Sequence, residues 1–171
     1  MESRFKVLRH PAHPILIVYP LGLLSTATVF DVVHLFNESA RLADAAYWMI
    51  VAGVLSGLLA AVPGWIDWFA IPVGTRARQV GLWHGLGNVL VLALFAVSGF
   101  LRSGSPQAPP TFAVLLSIAG TALVFFTGWL GGELIHRLGV SVDDGANLDA
   151  PNSLSGRPAA ESAVGAGRRG T

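Results

Sequence analysis

The chain has 171 residues, of which 53% are hydrophobic and 12% are charged, and its mean hydropathy is +0.60. A charged fraction about half that of a soluble domain indicates that lipid is the main solvent. The net charge of +1, with no basic stripe, argues against nucleic-acid binding, and the absence of cysteine excludes disulfides, thiolate catalysis and iron–sulfur ligation.

Four long apolar runs predict four membrane-spanning helices, because roughly 20 apolar residues cross a hydrocarbon core about 30 Å thick. The first run is longer than a signal-peptide core and no A-x-A-like site closes it, so we expect it to be retained. The predicted fold is an all-α, four-helix transmembrane bundle over residues 1–142, with spans at about 14–36, 45–70, 80–101 and 111–136. Residues 143–171 lack the apolar content to pack a core and predict a flexible cytoplasmic tail, disordered from about Ser153.

Local signals mark the helices in chain order. Proline residues suit the entry to the first helix, and Asp44 is a candidate cap for the second. Pro63 is expected to kink the second helix near its far end. Pairs of glycines spaced by four form small faces that we expect to pack inside the bundle: Gly53 with Gly57, and Gly128 with Gly132.

The distribution of basic residues predicts the topology. Nine of the eleven lysines and arginines fall in the N-terminal segment, the second loop and the C-terminal part. By the positive-inside rule, both termini are expected in the cytoplasm, with the chain a multi-pass protein of the inner (plasma) membrane.

Polar residues concentrate at the cytoplasmic mouth of the predicted bundle. Ionisable groups are costly inside a membrane, so each one invites a functional hypothesis. Because successive helices run in opposite directions, most of these polar residues fall in one layer at the inner end of the bundle. Only Asp31 and His34 form a pair at the outer end. The inner layer contains His13, Asp67, His84, Asn88, Glu133 and His136.

Imidazole suits iron, copper and zinc, so we predict His13, His84 and His136 as candidate ligands of a haem b or a metal ion. A di-iron carboxylate site is disfavoured because the Glu133-x-x-His136 motif occurs only once. Each residue also has a structural alternative. His10, His13 and His136 can be solvated interface residues, and Asp67 can pair with His84 or with a loop arginine to lock two helices together.

The chain also resembles a known family through six motifs in order along four spans: His10-Pro-x-His13-Pro, Pro20-Leu-Gly, Asp31-x-x-His34, Pro63-Gly-x-x-Asp67, His84-x-x-x-Asn88 and Gly131-Gly-x-Leu134. It resembles, over residues 8 to 150, the bacterial membrane proteins catalogued as domain of unknown function 2231. The resemblance implies a four-span membrane domain of unassigned biochemistry. Fusion of some members to Rieske-type domains implies membrane electron transfer and, by analogy, haem. Many relatives have histidine where this chain has Leu138.

No self-sufficient catalytic motif is present, so an enzymatic role is not predicted. The hypothesis is a small redox or haem-binding membrane component, in contact with the lipid bilayer and with a membrane redox partner or further copies of itself. The alternative is a non-enzymatic scaffold, sensor or small-solute permeation subunit.

Overall fold

Four helices long and apolar enough to cross a membrane form one bundle in the computed structural model, which describes residues 1–161. The predicted all-α four-helix bundle is therefore confirmed. The first span contains α1 (Ala12–Leu16) and α2 (Val18–Asn37), and the second is α3 (Ala40–Ala70). The third span is α4 (Arg76–Arg102), and the fourth is α5 (Thr111–Gly132) continued by a π-helical turn, Glu133–Arg137.

Two spans begin several residues earlier than the sequence suggested. The second span starts at Ala40 because its connection to the first is only two residues long, with Glu38 in the left-handed region at φ 51°. The third starts at Arg76, where the Thr75 hydroxyl accepts a hydrogen bond from the Arg78 amide at 3.2 Å. A threonine cap within a polar, arginine-containing loop gives no hydropathy signal, so the apolar run alone underestimates the helix. The second span continues unbroken through Pro63.

The bundle consists of two helical hairpins. The first span packs most extensively on the second, and the third on the fourth, while the two hairpins meet through narrower contacts. A central apolar cluster fills the space between them and contains Leu24, Ala27, Ala46, Ile50, Val91 and Phe95. Many large apolar side chains on the outside of the bundle are exposed, among them Phe100 and Phe125, and this surface contacts the lipid bilayer.

The described ends of the chain lie together at one end of the bundle, which we call the terminal end. Residues 1–11 form a segment with a small hairpin, β1 (Lys6–Val7) and β2 (His10–Pro11), joined by a turn with positive φ at both central residues. The Met1 amino group donates to the Gly139 carbonyl oxygen at 3.0 Å, and the Lys6 ammonium contacts Asp143 at 2.7 Å. The side of the membrane on which this end lies stays a prediction.

The C-terminal part, up to residue 161, is irregular and contains several turns, with one 3-10 turn at Ser153–Ser155. The Ser153 carbonyl oxygen accepts a hydrogen bond from Arg9 at 3.2 Å. The flexibility predicted for residues 143–171 stays a prediction, and its last part, 162–171, lies outside the described residues.

Candidate functional site

An apolar cavity of about 410 Å³ lies in the terminal half of the bundle and is lined by residues of all four spans. Its wall is mostly aliphatic side chains, tryptophan and glycine. The few polar groups that reach it include His13, His84 and Asn88. A mostly apolar cavity of this size with a few convergent polar groups is typical of a site for a small molecule or a cofactor.

His13 enters the cavity from the first span. Its Nδ1 lies 2.8 Å from the backbone carbonyl oxygen of Ala60 in the second span. Because Pro63 has no backbone N–H group, this turn of the second helix lacks one hydrogen-bond donor. The His13 imidazole supplies a donor to the same turn. Gly64 leaves room for the ring, because a Cβ atom at that position would lie 2.9 Å from His13 Nδ1.

His84 enters from the third span in a similar way. Its Nδ1 lies 2.9 Å from the Thr127 carbonyl oxygen in the fourth span. A Cβ atom at Gly131 would lie 3.1 Å from the ring, so glycine is again the residue that admits the imidazole. The Asn88 amide nitrogen donates to the His84 carbonyl oxygen at 2.8 Å and lies 3.3 Å from His84 Nε2.

The two imidazoles face each other, with ring centroids 6.2 Å apart and ring planes at 85°. A carbonyl oxygen only accepts hydrogen bonds, so Nδ1 of each ring carries the proton and Nε2 of each neutral ring carries a lone pair. Within residues 1–161, Nε2 of His13 has no hydrogen-bond partner. The site therefore contains two Nε2 lone pairs: that of His13 has no partner, and that of His84 lies 3.3 Å from the Asn88 amide nitrogen, so a ligand that accepts both must replace this hydrogen bond.

The other residues of the predicted inner layer separate into different environments. Asp67 lines the cavity but binds the N-terminal segment, and it makes no hydrogen bond with His84. Glu133 pairs with Arg76 at 2.6 Å near the surface. His136 is exposed in the π-helical turn and does not line the cavity. The structure thus brings together His13, His84 and Asn88, and it places the third predicted ligand elsewhere.

A closed metal site built from histidines and carboxylates is not formed in the described part of the chain. No group of three or more histidine, cysteine, aspartate and glutamate side chains in residues 1–161 is placed to hold a metal ion. The carboxylates that sequence analysis assigned to the same layer as the histidines are already engaged, Asp67 with backbone amides and Glu133 with an arginine.

A family model described as a predicted membrane protein, DUF2231, matches residues 9–144. This chain belongs to the DUF2231 family. The match covers the four spans and all residues that line the cavity, and the description assigns the family no biochemical role. No curated protein and no solved structure matches the chain.

At the opposite end of the bundle, this DUF2231 protein contains a buried ion pair that sequence analysis missed. Arg102 donates to both Asp31 carboxylate oxygens, at 2.7 and 2.9 Å, and both side chains are fully buried. The hydroxyls of Ser98 and Ser117 accept further hydrogen bonds from Arg102. His34, predicted as the outer partner of Asp31, lies instead with Nδ1 3.1 Å from the Ser39 carbonyl oxygen. Arg102 was missed because it borders a Ser/Pro-rich stretch and was counted as a loop charge.

Asp67 anchors the N-terminal segment over the terminal end. Its carboxylate accepts hydrogen bonds from the Ser3 hydroxyl at 2.7 Å, the Arg4 amide at 2.6 Å and the Phe5 amide at 3.3 Å. The aspartate is 5% exposed and Ser3 is 6% exposed. The buried charge is therefore solvated by donors of the chain itself, which explains how an aspartate is tolerated beside an apolar cavity.

Two charged side chains that titrate far from neutral pH, Glu2 and Lys6, stabilise the outer face of the N-terminal segment. The hydrogen bond from Lys6 holds the pKa of Glu2 below its usual 4.5, and the Asp143 carboxylate raises the pKa of Lys6 above its usual 10.5. Stabilisation by Glu2 is present above pH 4.5 and is lost as the pH falls through its lowered pKa. Stabilisation by Lys6 is present below pH 10.5 and is lost as the pH rises through its raised pKa.

We therefore expect the protection of the N-terminal segment to be constant between about pH 5 and pH 10 and to fall outside that range. Hydrogen exchange of the amides of residues 2–7, corrected for the intrinsic pH dependence of exchange, measures this protection. A change of protection centred near neutral pH would contradict the assignment to Glu2 and Lys6.

Proposed function

We propose that this protein is a haem-binding component of the plasma membrane, with His13 and His84 as the residues that hold the iron. The observation that carries the proposal is the pair of imidazoles from separate hairpins, each tied by Nδ1 to a backbone carbonyl oxygen and facing the other across one apolar cavity. The positive-inside charge pattern supports an orientation with both termini in the cytoplasm.

The cavity fits a haem in its donors, its lining and its size. Neutral imidazole nitrogen is a common axial ligand of haem iron, and two are available here. Gly64 and Gly131 lie against the rings where any larger residue would displace them. The volume of about 410 Å³ falls in the range of cofactor cavities. Because the chain contains no cysteine, a haem would be held without covalent attachment, as a haem b.

The residues of the chain prepare the site in advance. The carbonyl oxygens of Ala60 and Thr127 fix the tautomer of each histidine, restrict its rotation and increase the basicity of Nε2. The apolar wall excludes water, and Asn88 holds its own position through a hydrogen bond to the His84 backbone. When bound, a haem iron supplies a centre that takes up and releases one electron.

A protein with this role works with a redox partner in the membrane. The exposed apolar surface of the four spans gives such a partner, or a second copy of the chain, access within the bilayer. The competing role, a non-enzymatic scaffold, sensor or permeation subunit, requires no cofactor. Bound haem is therefore the observation that separates the two.

We expect detergent-purified full-length protein, expressed with added haem precursor, to show a Soret band and about one haem per chain. His13→Ala and His84→Ala should each weaken haem binding, by roughly 10- to 100-fold or more, because each removes a ligand of the iron. Absorption spectra and haem quantification by the pyridine haemochromogen method measure the effect.

Two histidines outside the cavity provide matched controls. His136→Ala tests the third ligand predicted from the sequence, and since this side chain is exposed, we expect the Soret band to be retained. His34→Ala changes a histidine at the opposite end of the bundle and should also leave the band intact. Absence of a Soret band in wild-type protein, together with absence of bound iron, would refute the proposal and favour the scaffold or permeation role.

A further inference from the structure

Equivalent positions recur in the two hairpins at a constant separation. Three residues of the first span have counterparts 71 positions later in the third span: His13 and His84, Leu24 and Phe95, Asp31 and Arg102. Three residues of the second span have counterparts 67 positions later in the fourth: Gly53 and Gly120, Ala60 and Thr127, Gly64 and Gly131. Three of these six pairs are identical in residue type: His13 and His84, Gly53 and Gly120, Gly64 and Gly131.

The contacts inside each hairpin match position by position. In the first hairpin, His13 contacts the Ala60 carbonyl oxygen and lies against Gly64; in the second, His84 contacts the Thr127 carbonyl oxygen and lies against Gly131. Three turns further along, Leu24 covers Gly53, where a Cβ atom would lie 2.5 Å from its side chain, and Phe95 covers Gly120, where the distance would be 2.7 Å. Burial also matches, since at most 1% of each residue is exposed in three further pairs: Ala27 and Ser98, Ala46 and Ala113, Ile50 and Ser117.

The contacts between the hairpins join equivalent positions. His13 faces its counterpart His84 at the terminal end, and Asp31 binds its counterpart Arg102 at the opposite end. Equivalent positions of two related units touch each other only where they lie close to the symmetry axis. Both hairpins begin at the same end of the bundle, so this axis runs along the bundle, as in parallel membrane repeats.

We infer that the two hairpins are copies of one structural unit related by an approximate two-fold axis, and that the cavity holds a haem iron on this axis through both imidazoles. This inference rests on the haem-binding function proposed above and specifies the coordination. If both Nε2 atoms bound one metal ion, each would lie about 2.0 to 2.1 Å from the metal and roughly 1 Å from the centre of its own ring. The two ring centroids would then be about 6 Å apart. The observed separation is 6.2 Å.

The site departs from the two-fold relation at one position. Asn88, whose amide lies 3.3 Å from His84 Nε2, has Ile17 as its counterpart in the first hairpin. The amide keeps a shorter hydrogen bond to the His84 carbonyl oxygen at 2.8 Å, so it retains a partner when Nε2 binds iron. With both imidazoles holding the iron, the site would be suited to electron transfer and not to binding a gas.

The coordination state of the iron tests the inference. We expect wild-type protein to give the absorption and electron paramagnetic resonance spectra of low-spin, six-coordinate haem, and its ferrous form to bind no carbon monoxide. His13→Ala and His84→Ala should each convert the haem to a high-spin form that binds carbon monoxide, and added imidazole should restore the low-spin spectrum. His13→Met and His84→Met, which retain a weaker ligand, cover the case in which the alanine variants lose haem.

Glycine variants test the equivalence of the two copies without removing a ligand. Gly64→Ala and Gly131→Ala should both shift the low-spin spectrum, because the added methyl group pushes on His13 or His84. Gly22→Ala, on the first span with nothing within 4 Å of the added atom and outside the cavity lining, is the control and should not shift it. A high-spin wild-type spectrum, or a spectrum unchanged by one of the two histidine variants, would overturn the inference and leave haem binding in place. Absence of haem would overturn both.

Discussion

Arg102→Ala is expected to destabilise the bundle by about 3 to 5 kcal/mol, the typical cost of removing one partner of a buried ion pair. Both side chains of the pair are fully buried, and Arg102 donates to both carboxylate oxygens of Asp31. The variant leaves the Asp31 charge in an apolar interior without its cation. The apparent midpoint of thermal unfolding in detergent, followed by circular dichroism, measures the loss.

Two further variants show whether the loss of stability comes from losing the ion pair or from leaving one buried charge unpaired. The double variant Asp31→Leu with Arg102→Met removes both charges, and we expect it to recover most of the stability, because Ser98 and Ser117 keep the Ala113 carbonyl oxygen as an acceptor. Arg76→Ala breaks the more exposed pair with Glu133, where the arginine is 60% exposed, and should cost at most about 1 kcal/mol. An Arg102→Ala variant no less stable than Arg76→Ala would contradict the assignment.

The number and approximate location of the spans could be predicted from the sequence because they depend on length and hydropathy, which are local properties. The rotation of each helix about its own axis could not. In a membrane the lipid-facing and interior-facing surfaces are similarly apolar, so hydropathy does not distinguish them. For this reason Asp31 was associated with His34, three residues away, and its actual partner Arg102 lies 71 positions away.

The glycine pairs illustrate the same limit. The sequence predicted that both pairs pack inside the bundle. A Cβ atom at Gly53 or Gly57 would indeed lie 2.5 Å from a leucine of a neighbouring span, whereas at Gly128 or Gly132 it would meet nothing within 4 Å. The residue that admits His84 is Gly131, which lies beside the predicted pair and outside its spacing. The sequence thus identifies glycines that could allow neighbouring helices to pack closely. Only the packing of the hairpins shows at which of these positions glycine is required.

The candidate site was predicted in part. His13 and His84 were selected as ligands because ionisable groups are costly in a membrane and imidazole suits iron, and the structure places the two rings next to each other, with centroids 6.2 Å apart. The hydrogen bonds that orient them come from the backbone of Ala60 and Thr127, and backbone carbonyl groups carry no sequence signal. Ser3, which binds Asp67, was also missed, since a serine in a basic segment of irregular structure indicates no contact.

Asp67→Ala is expected to release the N-terminal segment from the terminal end of the bundle. The substitution removes the acceptor of three hydrogen bonds, from Ser3, Arg4 and Phe5, and leaves the Arg4 and Phe5 amides without a partner, whereas the Ser3 hydroxyl keeps the Phe5 carbonyl oxygen as an acceptor. Hydrogen bonds to a charged group contribute about 1.5 to 3 kcal/mol each, and they are not additive. A net loss of about 3 kcal/mol would raise the open population of the segment roughly 100-fold.

Limited proteolysis measures this opening, because trypsin cleaves after the basic residues of the segment, Arg4, Lys6 and Arg9. When opening is fast relative to cleavage, the cleavage rate follows the open population, so it should rise in proportion. The midpoint of thermal unfolding should change less than in Arg102→Ala, since the segment lies outside the central apolar cluster. Asp67→Asn, which retains one carbonyl acceptor, should give an intermediate rate.

Glu2→Ala is the matched control, because it removes a carboxylate from the same segment that pairs with Lys6 at the surface. Exposed pairs of this kind contribute at most about 1 kcal/mol, so the cleavage rate of Glu2→Ala should rise only a few-fold, far less than that of Asp67→Ala. Equal cleavage rates for Asp67→Ala and Glu2→Ala would show that the buried aspartate does not hold the segment. A selective increase for Asp67→Ala would establish that this buried carboxylate, which lines the cavity, keeps the chain's own N-terminal segment at the terminal end.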